Sequence, residues 1–267
     1  MSLYKKIARA VFAATAFFGL AACATEPSLS VAEMGMIREG DQSAIIMSYR
    51  EYAGMYGASV RFMNVDTRRM YGVSMHGGDN WVNAGPDMVA VPPGRYRILT
   101  GSLYGSDVTG NLPMIAYWFD EFNVAPGEVV NIGTLRIDDI NVRALPGMSD
   151  RVLNALFTLN PSQRNTYYAY TLDFSDEARV QHMLESKYPQ LGVAPVQRSP
   201  ATVLDRAEFE RIVVESYAPG ADGTMPSVQE AQALVNEGLD RFVRESLENA
   251  HGPNPTIEVP AQPLPSN

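Results

Sequence analysis

The residues with the most varied chemistry lie in one glycine-rich stretch, MHGGDNWVNAGPD, at residues 75–87. Its side chains include an imidazole, a carboxylate, an indole and two amides, from His76, Asp79, Trp81, Asn80 and Asn83. An exposed indole can stack on a sugar ring while carboxylate and amide groups hydrogen-bond its hydroxyls. The stretch therefore predicts a glycan or small-ligand site or, alternatively, a long turn whose tryptophan packs back onto the fold.

Three further groups of residues have both a chemical and a structural interpretation. Tyr168 and Tyr170 share one side of the extended segment TYYAYTLDF, where they form either an exposed partner-binding patch or ordinary packing. Asp138, Asp139 and Asn141 offer oxygen ligands for calcium, but their spacing is not that of an EF-hand loop, so a solvated strand end is favoured. The 13 methionines allow a copper site, yet core packing is the better interpretation.

Common catalytic patterns are absent from the sequence. The three histidines, His76, His182 and His251, have no partner at the spacing of a metal site, and neither HExxH nor Gly-x-Ser-x-Gly occurs. No phosphate-binding or dinucleotide-binding loop is present either. We therefore predict a protein without metal or cofactor that is not an enzyme; a hydrolase assembled from distant residues remains the alternative, since triads are spatial.

The N-terminal residues have the profile of a secretory signal. Lys5, Lys6 and Arg9 form a basic start, residues 10–22 are apolar and rich in small side chains, and polar residues return soon after Cys23. The apolar run is shorter than the ~20 residues of a membrane-spanning helix. Residues 1–22 are therefore predicted to be a cleaved signal peptide, and the only cysteine of the chain stands directly behind it.

Leu20-Ala21-Ala22-Cys23 resembles the lipobox of bacterial lipoproteins at every position. The resemblance implies that Cys23 is the first mature residue, that its sulfur carries a diacylglycerol, and that its new N-terminus receives an acyl chain such as palmitate. Two or three acyl chains hold a protein stably on a bilayer, whereas one chain does so only marginally. Because Ala24 follows the cysteine, the resemblance also implies sorting to the outer membrane of a bacterial envelope. Which side of that membrane the protein occupies does not follow from the motif; we predict the side that faces the periplasm. With Cys23 acylated, no thiol remains for disulfides or thiolate chemistry.

The charge balance excludes one class of partner. The chain has 21 basic and 30 acidic residues, and three of the basic ones precede Cys23, which leaves 18 against 30. A surface of this sign repels nucleic acid, so nucleic-acid binding is not expected.

Residues 43–144 have the sequence pattern of a β-sheet domain. Seven segments rich in Val, Ile, Tyr and Phe alternate with turn sequences such as HGGDN, PPG and APG. This pattern predicts an antiparallel β-sandwich of the immunoglobulin or transthyretin kind, and the absence of a βαβ pattern argues against parallel strands.

The turn sequences VPPGRYRI and FNVAPGEVVNIGTLRI resemble those of small β-sandwich domains in uncharacterised bacterial lipoproteins. The resemblance implies a tucked aromatic at Tyr96 and a sandwich fold, and it brings no catalytic residues with it.

Residues 145–251 are predicted to be a mainly helical region, so that the whole chain is of the α+β class. We expect a strand near 166–174 and helices near 176–188, 204–217 and 228–249. Ser175 is the expected N-cap of the first helix. Ser227 and Glu230 form a capping box at the start of the last, whose outer face pairs Asp240 with Arg244. The flanking segments are predicted to be a linker at 23–42 and a proline-rich disordered tail at 252–267.

These observations together predict a lipid-anchored, non-catalytic envelope lipoprotein that binds another periplasmic or outer-membrane component as an accessory or scaffolding protein. The alternative is a glycan or small-ligand binding module that uses the loop around Trp81.

Overall fold

The computed structural model describes residues 29–50, 55, 57–76, 85–104, 109–112, 114–140, 167–221 and 223–251. Within these ranges there are four α-helices: α1 (Val31–Glu39), α2 (Glu177–Lys187), α3 (Arg206–Ser216) and α4 (Val228–His251). The same ranges contain ten strands: β1 (Ser43–Tyr49), β2 (Gly57–Asn64), β3 (Met70–His76), β4 (Asp87–Val91), β5 (Gly94–Tyr104), β6 (Thr109–Asn111), β7 (Phe122–Val124), β8 (Val129–Ile140), β9 (Tyr167–Asp173) and β10 (Val196–Gln197). A 3-10 turn lies at Ile115–Tyr117.

The first sheet is mixed. Its strand order is β10-β8-β1-β4, and β9 pairs with the second half of β8. Strands β1 and β10 both run parallel to β8, whereas β4 and β9 are antiparallel to their neighbours. The pairing of Ala44 with Val129 joins two strands about 85 residues apart in the chain. A strand pattern read locally cannot reveal a pairing over such a distance.

The second sheet is antiparallel throughout. Its order is β3-β2-β5-β6, with β7 paired to the start of β5. The hairpin between β2 and β3 is closed by Asn64, whose Oδ1 accepts hydrogen bonds from the backbone N–H groups of Asp66 and Thr67. An asparagine side chain often stabilises a turn in this way.

The two faces of the first sheet contact different parts of the protein. On β1, Ile45 and Met47 belong to a large core that also includes residues of the second sheet, α3 and α4. Ala44 and Ile46 alternate with them and pack with α1 and α2 in a second cluster. Side chains in a strand point alternately to opposite faces, so both faces of β1 are covered, and all seven of its residues are buried.

Only one face of the second sheet is buried. On β2, Val60 and Phe62 are fully buried in the large core, while Arg61 between them is exposed. This alternation is typical of an antiparallel sheet that faces water on one side.

The predicted fold class is therefore wrong. Parallel pairing occurs in the first sheet, so the chain is not an antiparallel β-sandwich of the immunoglobulin or transthyretin kind. Nor does a mainly helical region follow a completed sheet domain, because β9 and β10 from the C-terminal part complete the first sheet. The physical reason is that β8 has an open edge after pairing with β1, and only strands from later in the chain cover it.

Local signals place the helices close to their observed bounds. The capping box of α4 is confirmed, since Ser227 and Glu230 exchange backbone-to-side-chain hydrogen bonds. Ser175 is not the N-cap of α2; Asp176 occupies that position. Helix α1 lies in the range assigned to a linker and has a capping box of its own, Ser30 with Glu33. Among the described residues, no helix combines the length and apolar composition needed to cross a membrane.

Candidate functional site

Most of the residues selected from the sequence lie outside the described ranges. These are Cys23, Asp79, Asn80, Trp81 and Asn83. His76 is the last residue of β3, so the glycine-rich stretch begins where an edge strand of the second sheet ends. The glycan-binding interpretation of this stretch stays a prediction.

Tyr168 and Tyr170 of β9 do not form an exposed patch. Tyr170 is fully buried, and its ring packs edge-to-face against Trp118 with 5.6 Å between ring centroids. Tyr168 is partly buried, and its ring centroid lies 6.3 Å from that of Tyr170. The assignment of Tyr170 as an exposed contact residue is therefore wrong, because Trp118 packs against it in the large core.

As far as the structure describes it, the acidic end of β8 has no preformed cation site. Asp138 and Asp139 are exposed and lie opposite Ala169 and Tyr168 in the β8–β9 ladder. Among the residues that the structure describes, no three His, Cys, Asp or Glu side chains are grouped so as to hold a metal ion. Asn141, the third residue of the suggested calcium group, lies outside the described ranges.

Sequence inspection missed an aromatic cluster at the centre of the large core. Trp118 contacts both Tyr170 and Phe209 of α3, and Phe209 also contacts Tyr167. The indole N–H of Trp118 is buried and has no hydrogen-bond partner among the described residues. The cluster joins β9 and α3 to the turn that follows β6, so its role is to hold the C-terminal part against the sheets.

A second contact that the sequence did not predict joins α4 to the 3-10 turn. The hydroxyl of Tyr117 donates a hydrogen bond of 2.7 Å to Oδ1 of Asp240, and burial together with this carboxylate raises the pKa of Tyr117. The predicted pairing of Asp240 with Arg244 is therefore wrong: Asp240 faces the 3-10 turn instead of its neighbour on the helix. A tertiary contact has replaced a local one.

An ion pair links the edge strand β10 to the start of the neighbouring strand β8. Arg198, directly after β10, forms two hydrogen bonds of 2.7 Å with the carboxylate of Glu128, directly before β8. These hydrogen bonds lower the pKa of Glu128, against the opposing effect of partial burial. The contact holds the two-residue strand β10 in place, which such a short strand needs.

The described part of the chain begins with a residue that is already packed in the core. Leu29 is buried in the cluster that α1 and α2 form with the first sheet, and Ser30 caps α1 immediately afterwards. Met34 and Ile37 of α1 are buried in the same cluster. Leu29 lies six positions after Cys23. Even a fully extended chain of this length spans only about 20 Å.

A small groove lies between α3 and α4. It has a volume of about 150 Å³, and its lining includes Ile212, Leu234, Gly238 and Arg241. A Cβ atom at Gly238 would stand 2.7 Å from Cγ2 of Ile212, so the missing side chain allows the two helices to approach closely. Leu234 is 45% exposed at the groove. The groove follows from this close helix packing, and the hydroxyl of the buried Ser216 in its lining already donates a hydrogen bond to the backbone oxygen of Ile212.

Comparisons with known proteins add little to this description. No protein-family model matches the chain, and no curated protein matches it. A likeness exists to the crystal structure of a leucine-rich repeat protein from Bacteroides thetaiotaomicron, at 13% sequence identity and a TM-score of 0.25. It covers 35% of this chain and 13% of that chain. A likeness of this size carries no argument about fold or function.

Proposed function

We propose that this chain is a lipid-anchored, non-catalytic lipoprotein of the bacterial envelope that serves as an accessory or scaffolding protein for another envelope component. The single observation that carries the proposal is the sequence Leu20-Ala21-Ala22-Cys23 behind a basic start and an apolar run. Acylation of Cys23 would hold the protein on the periplasmic side of the outer membrane.

The position of Leu29 determines how close to the membrane an anchored protein would lie. Since Leu29 is buried and lies only six residues after Cys23, the lipid and the folded part are joined by a short tether. The N-terminal end of the folded part of an anchored protein then stays within about 20 Å of the bilayer surface. The layer formed by α1 and α2 would then lie nearest the membrane, because Leu29 enters the fold there.

The test is replacement of the attachment residue. Full-length protein and the Cys23→Ala variant are expressed in a bacterial host with a C-terminal tag, fed with an alkyne analogue of palmitate, and fractionated. We expect the unmodified chain to incorporate the label, to have an intact mass that begins at Cys23 with a diacylglycerol, and to sediment with membranes. The variant should lose the label and leave the membrane fraction, and in the native bacterium it should reproduce the phenotype of deletion.

A matched control is Thr25→Ala, which changes a residue of the tether and leaves the lipobox intact. This control should keep the label and the membrane location. An unlabelled wild-type chain, or full function of Cys23→Ala away from the membrane, would contradict the proposal.

A further inference from the structure

The exposed side of the β2–β3 hairpin, together with its turn, has a group of side chains with no ion-pair partner or core contact among the described residues. We name this group the Met–Arg face. It consists of Arg61, Met63 and Met70 on the outer side of β2 and β3, and of Arg68 and Arg69 in the exposed turn at the end of these strands. Arg61 and Met63 project from β2 on the side opposite the buried Val60 and Phe62. Met70 lies directly opposite Met63 in the β2–β3 ladder, and Arg68 and Arg69 belong to the turn that joins these strands.

The charge of this face is opposite to that of the whole chain. The described ranges 57–76 and 85–104 contain five arginines and two aspartates, although the chain has a net charge of −9. Asp66 pairs with Arg95, and Glu121 lies close to both Arg95 and Arg97. The remaining three arginines, those of the Met–Arg face, are exposed and have no ion-pair partner among the described residues.

The fold presents these arginines in defined positions. Gly72 lies opposite Arg61, and a Cβ atom at Gly72 would stand 3.6 Å from Cγ of Arg61, so the arginine stem lies across this glycine. The turn that bears Arg68 is closed by backbone hydrogen bonds between Asn64 and both Arg68 and Arg69. Arg61 and Asn64 are three residues apart, which places the two ends of the face about 10 Å from each other along the strand.

The face also offers apolar contact. Met70 is 42% exposed, which makes it one of four large apolar side chains that are well exposed within the described part of the chain. Its cross-strand neighbour Met63 is partly exposed. Methionine side chains adapt their shape to different apolar groups and are common at binding surfaces. A methionine pair with arginines on either side suits a ligand that has both carboxylates and an apolar side chain.

We infer that the Met–Arg face is the partner-binding surface of this protein and that its ligand is an acidic polypeptide segment with an interspersed apolar residue. This inference rests on the proposed function, for which it names the surface and the chemistry of the partner. An extended segment of about four residues spans the 10 Å of the face. Arginine clusters recognise acidic motifs in this way in other peptide-binding proteins.

The position of the face favours a polypeptide over an anionic bilayer. The first sheet and the large core separate the face from α1 and α2, the layer where the chain enters from Cys23. A protein held by a short tether at that layer turns its Met–Arg face away from its own membrane. In addition, the net negative charge of the whole molecule repels an extended anionic bilayer. A narrow peptide interacts mainly with the charges within a Debye length of about 8 Å.

The inference can be tested on the purified full chain with a defined probe, a fluorescently labelled copolymer of glutamate and tyrosine. Binding is followed by fluorescence anisotropy in 50 mM and in 300 mM NaCl. We expect the wild-type chain to bind the copolymer at low salt and to lose most of this binding at high salt. The triple variant Arg61→Gln/Arg68→Gln/Arg69→Gln should bind about tenfold more weakly at low salt, and Met70→Ser about threefold more weakly.

The matched control removes the same charge elsewhere. Arg38, Arg241 and Arg244 are exposed helix residues outside the face, so Arg38→Gln/Arg241→Gln/Arg244→Gln should bind like the wild type. Thermal unfolding of each variant checks the fold; if the triple variant unfolds, Arg61→Gln alone, on the open side of β2, serves in its place with an expected twofold to threefold loss.

Three results would overturn the inference: no binding of the copolymer by the wild-type chain, an equal loss in the control variant, or binding of phosphatidylglycerol vesicles through the Met–Arg face without binding of the copolymer. None of these results affects the lipid anchor, because label incorporation at Cys23 is measured separately. Conversely, an unlipidated chain that binds the copolymer would contradict the proposed anchor and leave the binding surface intact.

Discussion

The two sheets of this protein differ in how many of their faces are covered. The first sheet packs against α1 and α2 on one side and against the large core on the other, so every residue of β1 is buried. The second sheet contributes one face to the same core, and its other face bears Arg61, Met63 and Met70. The first sheet is therefore specified by packing on both sides, whereas the outer side of β2 and β3 in the second sheet is exposed at Arg61 and Met70.

The largest expected effects come from adjacent residues in the two sheets. Ile45→Ala and Ile46→Ala should each lower the free energy of unfolding by roughly 2–5 kcal/mol, because both side chains are fully buried on opposite faces of β1. In β2, Phe62→Ala should cost a similar roughly 3–5 kcal/mol, while Arg61→Ala should change stability by less than about 0.5 kcal/mol. Urea denaturation with unchanged m-values measures all four. A small effect at Ile46 would show that α1 and α2 do not cover the first sheet.

An intermediate effect is expected from two glycines. Gly133 in β8 has a φ of +111°, and a Cβ atom there would stand 2.7 Å from the backbone oxygen of Asp173. Gly133→Ala should therefore destabilise the fold by roughly 1–3 kcal/mol. Gly72 on the open face is the matched control: its nearest contact to a new Cβ is 3.5 Å, so Gly72→Ala should change stability by less than about 0.5 kcal/mol. Equal melting temperatures of the two variants would show that a side chain is tolerated equally well at the two glycines, which would contradict this prediction.

The smallest effect concerns the ion pairs at the sheet edges. Glu128 has a lowered pKa because Arg198 hydrogen-bonds its carboxylate, so the pair stabilises the folded state above the ordinary glutamate pKa of about 4.5. Glu128→Gln should lower stability by on the order of 1 kcal/mol at pH 7. This difference should disappear as the pH falls through the lowered pKa, because the carboxylate is then protonated in both states.

The control for this pair is Asp66→Asn, which breaks the Asp66–Arg95 pair on the second sheet. Both of its side chains are more than half exposed, so we expect little change in stability at any pH. A pH-independent loss in Glu128→Gln would show that the carboxylate charge does not contribute to holding β10.

Sequence inspection succeeded where the governing interactions are local. The start of α4 follows from Ser227 and Glu230, three residues apart, and its buried stripe of Ala231, Val235 and Leu239 follows from helical periodicity. Strand β9 likewise lies within a residue of each predicted bound, because alternation over seven residues is a local signal.

Inspection failed where a residue's environment comes from distant parts of the chain. The sequence around Tyr170 fits either a surface or a core position, and Trp118 from a distant turn packs against it in the core. Asp240 has a suitable arginine four positions away on its helix, but the hydroxyl of Tyr117, from a distant turn, donates a hydrogen bond to the Asp240 carboxylate instead. In both cases the local pattern allowed two outcomes, and packing selected one.

By itself, the sequence determines the turns, the helix caps, the alternation within each strand and the chemistry of the segment that ends at Cys23. Each of these features depends on residues that are near neighbours in the chain, so a short stretch of sequence is enough to predict it. The tertiary structure alone decided that β1 and β8 run parallel, that β9 and β10 complete the first sheet, and that Arg61, Met63 and Met70 lie on the side of β2 and β3 that faces away from the core. These features depend on which distant surfaces bury the most apolar area together, and that competition involves the whole chain at once.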